Sequence, residues 1–208
     1  MAAELRFQYA RLTVGSPVAG FYRGLGFDVD GTAVQVGETV LEFSETGGGA
    51  FHHFAFLAPG NRFDAAYRWA RERVDVLRQP GTGRDVFDFD FWDARAFYFH
   101  DPAGDIAEVI AHRGLEDSDA SGDFSPLEIV GLSELMLVGD PAALARQIPL
   151  PLWAGDVGGL AFIGRKARTL ILAARGRPLL PLGRPAETHP AEVVLERPGE
   201  QPLRFTHG

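Results

Sequence analysis

The sequence predicts an α+β protein built from repeated βαβββ modules, two of them forming a cupped mixed sheet and a third present in part. Three observations carry this prediction. A strand, a short helix and further strands recur with a spacing of about 40 to 60 residues. Ser133-Glu134-Leu135-Met136-Leu137-Val138-Gly139-Asp140-Pro141 repeats the order of Ala10-Arg11-Leu12-Thr13-Val14-Gly15-Ser16-Pro17. Finally, Phe97-Tyr98-Phe99-His100 and Ile106-Ala107-Glu108-Val109-Ile110 read as two strands joined by an Asp-Pro-Ala-Gly turn.

Residues 6 to 14 alternate as a strand does, and Gly15-Ser16-Pro17 supplies an N-cap and a first-turn proline for a helix through Phe21 and Tyr22, ended by Gly24 or Gly26. Short strands follow around 27 to 29, 33 to 36 and 39 to 44, and Gly47-Gly48-Gly49 closes the first module, 1–49. The second module, 50–113, opens with Phe-His-His-Phe-Ala-Phe-Leu. Its helix spans about 62 to 73, with Phe63, Ala66, Tyr67, Ala70 and Val74 on one apolar stripe. Strands near 74 to 77, 93 to 99 and 105 to 111 complete it. Residues 114–126, rich in Gly, Ser and Asp, read as a linker to a third, degenerate module, 127–208. That module has a helix at 142 to 148 and strands near 160 to 164, 168 to 174 and 192 to 196.

With 208 residues, 46% of them hydrophobic, the chain has ample material for a core. The net charge of -8 and the lack of a basic cluster argue against nucleic acid or an anionic membrane surface and for a small-molecule partner. With no cysteine, disulfides, thiolate-bound zinc and cysteine nucleophiles are excluded. No apolar run approaches the roughly 20 residues that span a bilayer, and the start Met1-Ala2-Ala3-Glu4-Leu5-Arg6 lacks an apolar core, so a cytoplasmic location is expected.

Glu108 stands between two isoleucines on a strand. An ionised carboxylate there is costly unless a metal, an arginine or several donors meet it. Alternation places Glu42 opposite Leu41 and Phe43 and groups Ile106, Glu108 and Ile110. Because His52 and His53 are adjacent, one imidazole faces the cup in either register. In the segment Asp85 to Asp93, Phe89, Phe91 and Trp92 are candidates to pack on an apolar or aromatic ligand from a loop over the cup mouth, the alternative being that they anchor that loop to the body.

The duplicated strand-helix-strands order, Gly-Leu-Gly-Phe at 24 to 27, His53 before Phe-Ala-Phe-Leu, and Asp-Pro-Ala-Gly before the Glu108 strand resemble the vicinal oxygen chelate superfamily. That superfamily includes glyoxalase I, the bleomycin-resistance proteins and the extradiol dioxygenases. The resemblance covers residues 5 to 113 well and the rest weakly. It implies that the first two modules pair and that Tyr9, Glu42, His53 and Glu108 hold one divalent metal, with Tyr9 in a place where histidine is usual. Glu42 and Glu108 would then be catalytic. One imidazole and two carboxylates suit Mn, Fe, Ni or Zn. The rival is a cup with no metal, in which Arg11, two residues after Tyr9, pairs with Glu42 or Glu108 or meets substrate. The function expected is metal-assisted lyase, isomerase or oxygenase chemistry on a carbonyl, enol or phenol. The alternative is a binder that sequesters an apolar or aromatic compound, in the manner of the bleomycin-resistance proteins. In the third module Ser133 is aligned with Tyr9, so that module is expected to supply no metal ligand and to act structurally or in a homodimer.

Overall fold

The computed structural model describes residues 5–46, 48–197 and 199–208; Met1 to Glu4 and Gly47 of the readings above lie outside them. The first module comprises β1 (Arg6–Val14), α1 (Ala19–Leu25), β2 (Asp28–Asp30), β3 (Ala33–Val36) and β4 (Thr39–Glu45). The second comprises β5 (His53–Leu57), α2 (Phe63–Arg71), β6 (Phe87–Phe89), β7 (Ala94–His100) and β8 (Ile106–His112). The third comprises β9 (Gly131–Gly139), α3 (Pro141–Gln147), β10 (Leu152–Asp156), β11 (Leu160–Arg165) and β12 (Arg168–Ala174). A small hairpin, β13 (Pro178–Leu179) and β14 (Arg184–Pro185), and a final pair, β15 (Ala191–Glu196) and β16 (Leu203–His207), follow.

The α+β class and the modular order hold, but the modules pair differently from expectation. One sheet runs β16-β15-β1-β4-β3-β2 and the other β10-β11-β12-β9-β5-β8-β7-β6. The second module therefore joins the third, through antiparallel β5 and β9, and the first module joins β15. Modules one and two share no sheet, so the resemblance-based pairing across 1–113 is corrected. The reason lies past the well-matching half of the chain. β9 and β15 are also strands with one apolar face, and each offers β5 or β1 a ladder that covers an otherwise bare edge.

Between the sheets lies the main core. Phe7, Ala10, Leu12, Leu41 and Phe43 from one sheet meet Phe54, Phe56, Leu132, Leu135 and Val109 from the other, with Tyr22 stacked on Phe43 at 5.3 Å. Each fully buried phenylalanine there contributes roughly 2 to 3 kcal/mol of apolar transfer. The helices bury Tyr22, Phe63, Trp69 and Leu144 in the same core. In α2, Phe63, Ala66, Trp69 and Ala70 are buried while Tyr67 is only half-buried, so the stripe is rotated slightly from the one expected.

Local chemistry explains the boundaries. Asp140 caps α3 by accepting from Ala142 N at 2.9 Å and Ala143 N at 3.1 Å, with Pro141 at the first helical position. In α1 the corresponding Ser16-Pro17 lies before the helix, whose N-cap is Val18, and Gly26 ends it at φ 100°. The expected strand at 74 to 77 is reduced to one bridge, Val76 to Phe99. Conversely, Phe87 to Phe89, expected in a loop, pairs with β7 as a short edge strand. None of the described helices is long and apolar enough to cross a membrane.

Candidate metal centre

Strand alternation sends the four ligands implied by the resemblance in two directions. Tyr9 and Glu42 lie on the outer face of the six-stranded sheet, opposite Leu41 and Phe43, which face the core. His53 and Glu108 lie on the outer face of the eight-stranded sheet, opposite Phe54, Ala107 and Val109. The core stands between the two pairs, so Glu42 and Tyr9 cannot share an ion with His53 and Glu108. The expected four-ligand set is corrected accordingly.

The third member of the second pair is Glu134, from β9. One ligand atom from each of His53, Glu108 and Glu134 lies within 4.8 Å of the others. The slip that hid Glu134 is one residue long. Matching Val138-Gly139 to Val14-Gly15 puts Ser133 at the place of Tyr9, whereas the strand faces put Glu134 there, since Leu132, Leu135 and Leu137 face the core as Phe7, Ala10 and Leu12 do. In both strands an irregularity precedes the residue concerned, between Phe7 and Tyr9 and between Leu132 and Glu134. Two apolar residues spaced by three rather than two, Leu132 and Leu135 like Phe7 and Ala10, were the available signal.

His53, Glu108 and Glu134 are almost wholly buried. His53 Nδ1 lies 3.0 Å from the Ile106 carbonyl, which accepts only if Nδ1 carries the proton; Nε2 is then a bare lone pair, 3.4 Å from Glu108 Oε2. Tyr98 stands opposite Glu108 in the β7–β8 ladder, and its phenol draws the Glu108 carboxyl down against the larger effect of burial. Among the described residues no arginine or lysine pairs with Glu108 or Glu134. Burial lowers the His53 pKa to about 4 and raises that of Glu134 to about 7. Burial, and then the neighbouring Glu134, pushes Glu108 well above the usual carboxylate range. A neutral imidazole and two carboxyl groups poor in compensating charge form a donor set that a divalent cation fits.

The centre floors a cavity of about 200 Å³, walled by Phe89, Trp92, Tyr98, Phe162, Met136 and Ile171 and roofed by residues 177 to 180. Trp92 meets Phe162 edge to face at 4.8 Å and lies 5.2 Å from Phe89. Phe91 is 80% exposed and touches none of this, so of the three aromatics singled out, Phe89 and Trp92 reach the cavity.

Tyr9, Arg11 and Glu42 form a separate, open arrangement. Tyr9 donates to Glu42 at 2.6 Å, and the Arg11 guanidinium lies 3.3 Å from Glu42 and 3.5 Å from Glu192. Burial and the Glu42 carboxylate push the Tyr9 phenol up to about 12. Arg11 thus pairs with Glu42, as the rival reading allowed, and has no place beside Glu108 or the cavity.

No protein-family profile matches the chain, and no curated protein is similar to it in sequence. Solved structures do match. One is a protein of Bacillus subtilis provisionally named a dioxygenase, with TM-score 0.54 and 17% identity over 91% of this chain and 69% of that one. This is the vicinal oxygen chelate fold. A glutamate-to-glutamine variant of glyoxalase I from Zea mays has TM-score 0.49 and 14% identity over 82% of this chain and 69% of that one. A glyoxalase/bleomycin resistance protein/dioxygenase from Nocardioides has TM-score 0.40 and 15% identity over 59% and 93%.

Proposed function

We propose that this chain is a metal-dependent small-molecule enzyme of the glyoxalase and dioxygenase type, with His53, Glu108 and Glu134 as the ligands of one divalent ion. The observation that carries the reading is the buried triad itself. Two carboxylates and an imidazole converge within 4.8 Å, and among the described residues no cationic side chain compensates them. A structural ion pair would supply a guanidinium, as Arg11 does on the other sheet; here, among the described residues, none does.

One imidazole and two carboxylates suit Mn, Fe, Ni or Zn, and such an ion, when bound, polarises a carbonyl or enolate or orients two neighbouring oxygens. The protein's own residues do the rest. His53 is held in one tautomer by the Ile106 carbonyl. Tyr98, paired across the ladder with Glu108 and lining the same cavity, is a positioning residue for its carboxylate. Glu134, the second carboxylate of the floor, faces the cavity and is the group placed to take and return a proton of a substrate held there. Phe89, Trp92 and Phe162 exclude water and hold a flat substrate above the floor.

The test is metal titration of chelator-treated protein, followed by a screen for turnover of carbonyl, enol and phenol substrates. One tightly held ion per chain, with activity restored on loading, is expected. A chain that takes up none of Mn, Fe, Ni or Zn overturns the reading.

A further inference from the structure

We propose that the cavity selects a small aromatic monoanion and that Arg177, at its mouth, reads the anionic group. The inference rests on the metal-dependent reading above and goes further by naming the substrate class.

Size and wall chemistry set the first half. An apolar cavity of roughly 150 Å³ holds one benzene ring, so about 200 Å³ holds one ring with a short substituent. The walls are aromatic and aliphatic. Ile171 deepens this character, because it stands opposite Met136 on β12 where Glu108 stands opposite Ala55 on β8, so the corner across from Glu108 offers no donor or acceptor. A polyhydroxy or peptide-like substrate would leave its polar groups unpaired against Met136, Phe162, Ile171 and Leu179.

Charge sets the second half. A dication on two carboxylates and a neutral imidazole sums to zero, so the loaded floor attracts no net charge. Among the residues lining the cavity, the cation is Arg177, and no carboxylate pairs with its guanidinium among the described residues. Arg184, the next cation along the chain, is already committed: it donates to the Gly104 carbonyl at 2.9 Å and lies over the Phe51 ring. One uncompensated positive charge at the rim above an apolar slot complements a ring that carries one negative charge on a short arm. Arg177 is solvent-exposed, so its effect is screened and the expected discrimination is modest.

The experiment compares phenylacetate with its neutral isostere phenylacetamide, by calorimetry and by quenching of tryptophan fluorescence, on Zn-loaded wild type and R177Q. Metal content is measured on the same samples. Phenylacetate should bind wild type roughly three- to fivefold tighter than the amide, and R177Q should bring the two to parity while leaving the amide's affinity unchanged. Equal binding to wild type, no binding of either compound, or a preference that survives in R177Q overturns the assignment. The last outcome would mean that the metal alone reads the charge. A protein that holds one ion and ignores ligand charge sinks this proposal and spares the functional reading; a protein that takes up no ion sinks both.

Discussion

In the six-stranded sheet Arg11 stands opposite Glu42 on one neighbouring strand and opposite Glu192 on the other; in the eight-stranded sheet Ala55 stands opposite Glu108 and Glu134 in the same two registers. Tyr9 and His53 occupy the same place, two residues earlier on β1 and β5. The two outer faces therefore present one pattern twice: an aromatic or imidazole donor, two glutamates and a residue between them. In the open face the middle residue brings its own cation and the carboxylates are served by the chain. In the closed face the middle residue is a buried alanine, and among the described residues no cation serves the carboxylates; on the proposed reading a bound ion supplies that charge. The side chain lying between the glutamates, more than the glutamates themselves, separates the structural ion pair of one face from the candidate metal centre of the other.

The strongest way to break the comparison is to exchange that middle residue. Ala55→Arg places a guanidinium between Glu108 and Glu134, its two cross-strand neighbours, and should lower metal affinity by about 100-fold or more, since both ligand carboxylates become engaged. Calorimetric metal titration of variant protein with a native circular dichroism spectrum reads this; stoichiometric uptake would show that the two faces differ in some other respect.

Next in size is Glu134→Gln. Because Glu134 binds its proton more tightly folded, at about 7, than unfolded, the metal-free protein is most favoured below the ordinary carboxylate range and loses stability as pH rises through about 7. The glutamine variant lacks this loss. Without metal it should match wild type near pH 4 and be more stable by about 1 to 3 kcal/mol above pH 7, read by urea denaturation at both pH values. A variant less stable than wild type at pH 8 would mean that Glu134 already has a compensating partner.

Ile171→His adds a fourth donor at the place corresponding to Glu108. It should tighten metal binding roughly tenfold, measured by competition with a chelating dye; unchanged affinity would show that the two halves of the cup are not in matching register. Smallest is Arg11→Ala. Arg11 is largely in water, so its loss should leave metal affinity unchanged and the denaturation midpoint within experimental error.

Much of this was legible in the residues. The modular order, α2 and the hairpin across Asp101-Pro102-Ala103-Gly104 follow from periodicity and turn chemistry, which are local. The orientations of Glu42, His53 and Glu108 also follow, because alternation fixes the face once a strand is recognised. Two things were not local. Which strand pairs with which edge depends on contacts between residues such as Phe54 and Leu135, far apart in sequence, and no pattern within either strand names its partner. The register of Glu134 turns on an irregularity that shifts one residue and exchanges the two faces, so an alignment anchored on the following glycine chose Ser133. Trp92 and Phe89 were found by their composition; Phe162 and the 177–180 roof, which complete the cavity, lay in a module whose role depended on that pairing.

The central claim is that His53, Glu108 and Glu134, and not Glu42, hold the ion. Elemental analysis after loading and exhaustive dialysis of wild type, Glu134→Gln and Glu42→Gln tests it most directly. One ion per chain in wild type and in Glu42→Gln, with a substoichiometric content in Glu134→Gln, is the predicted result. Retention by Glu134→Gln together with loss in Glu42→Gln would contradict it.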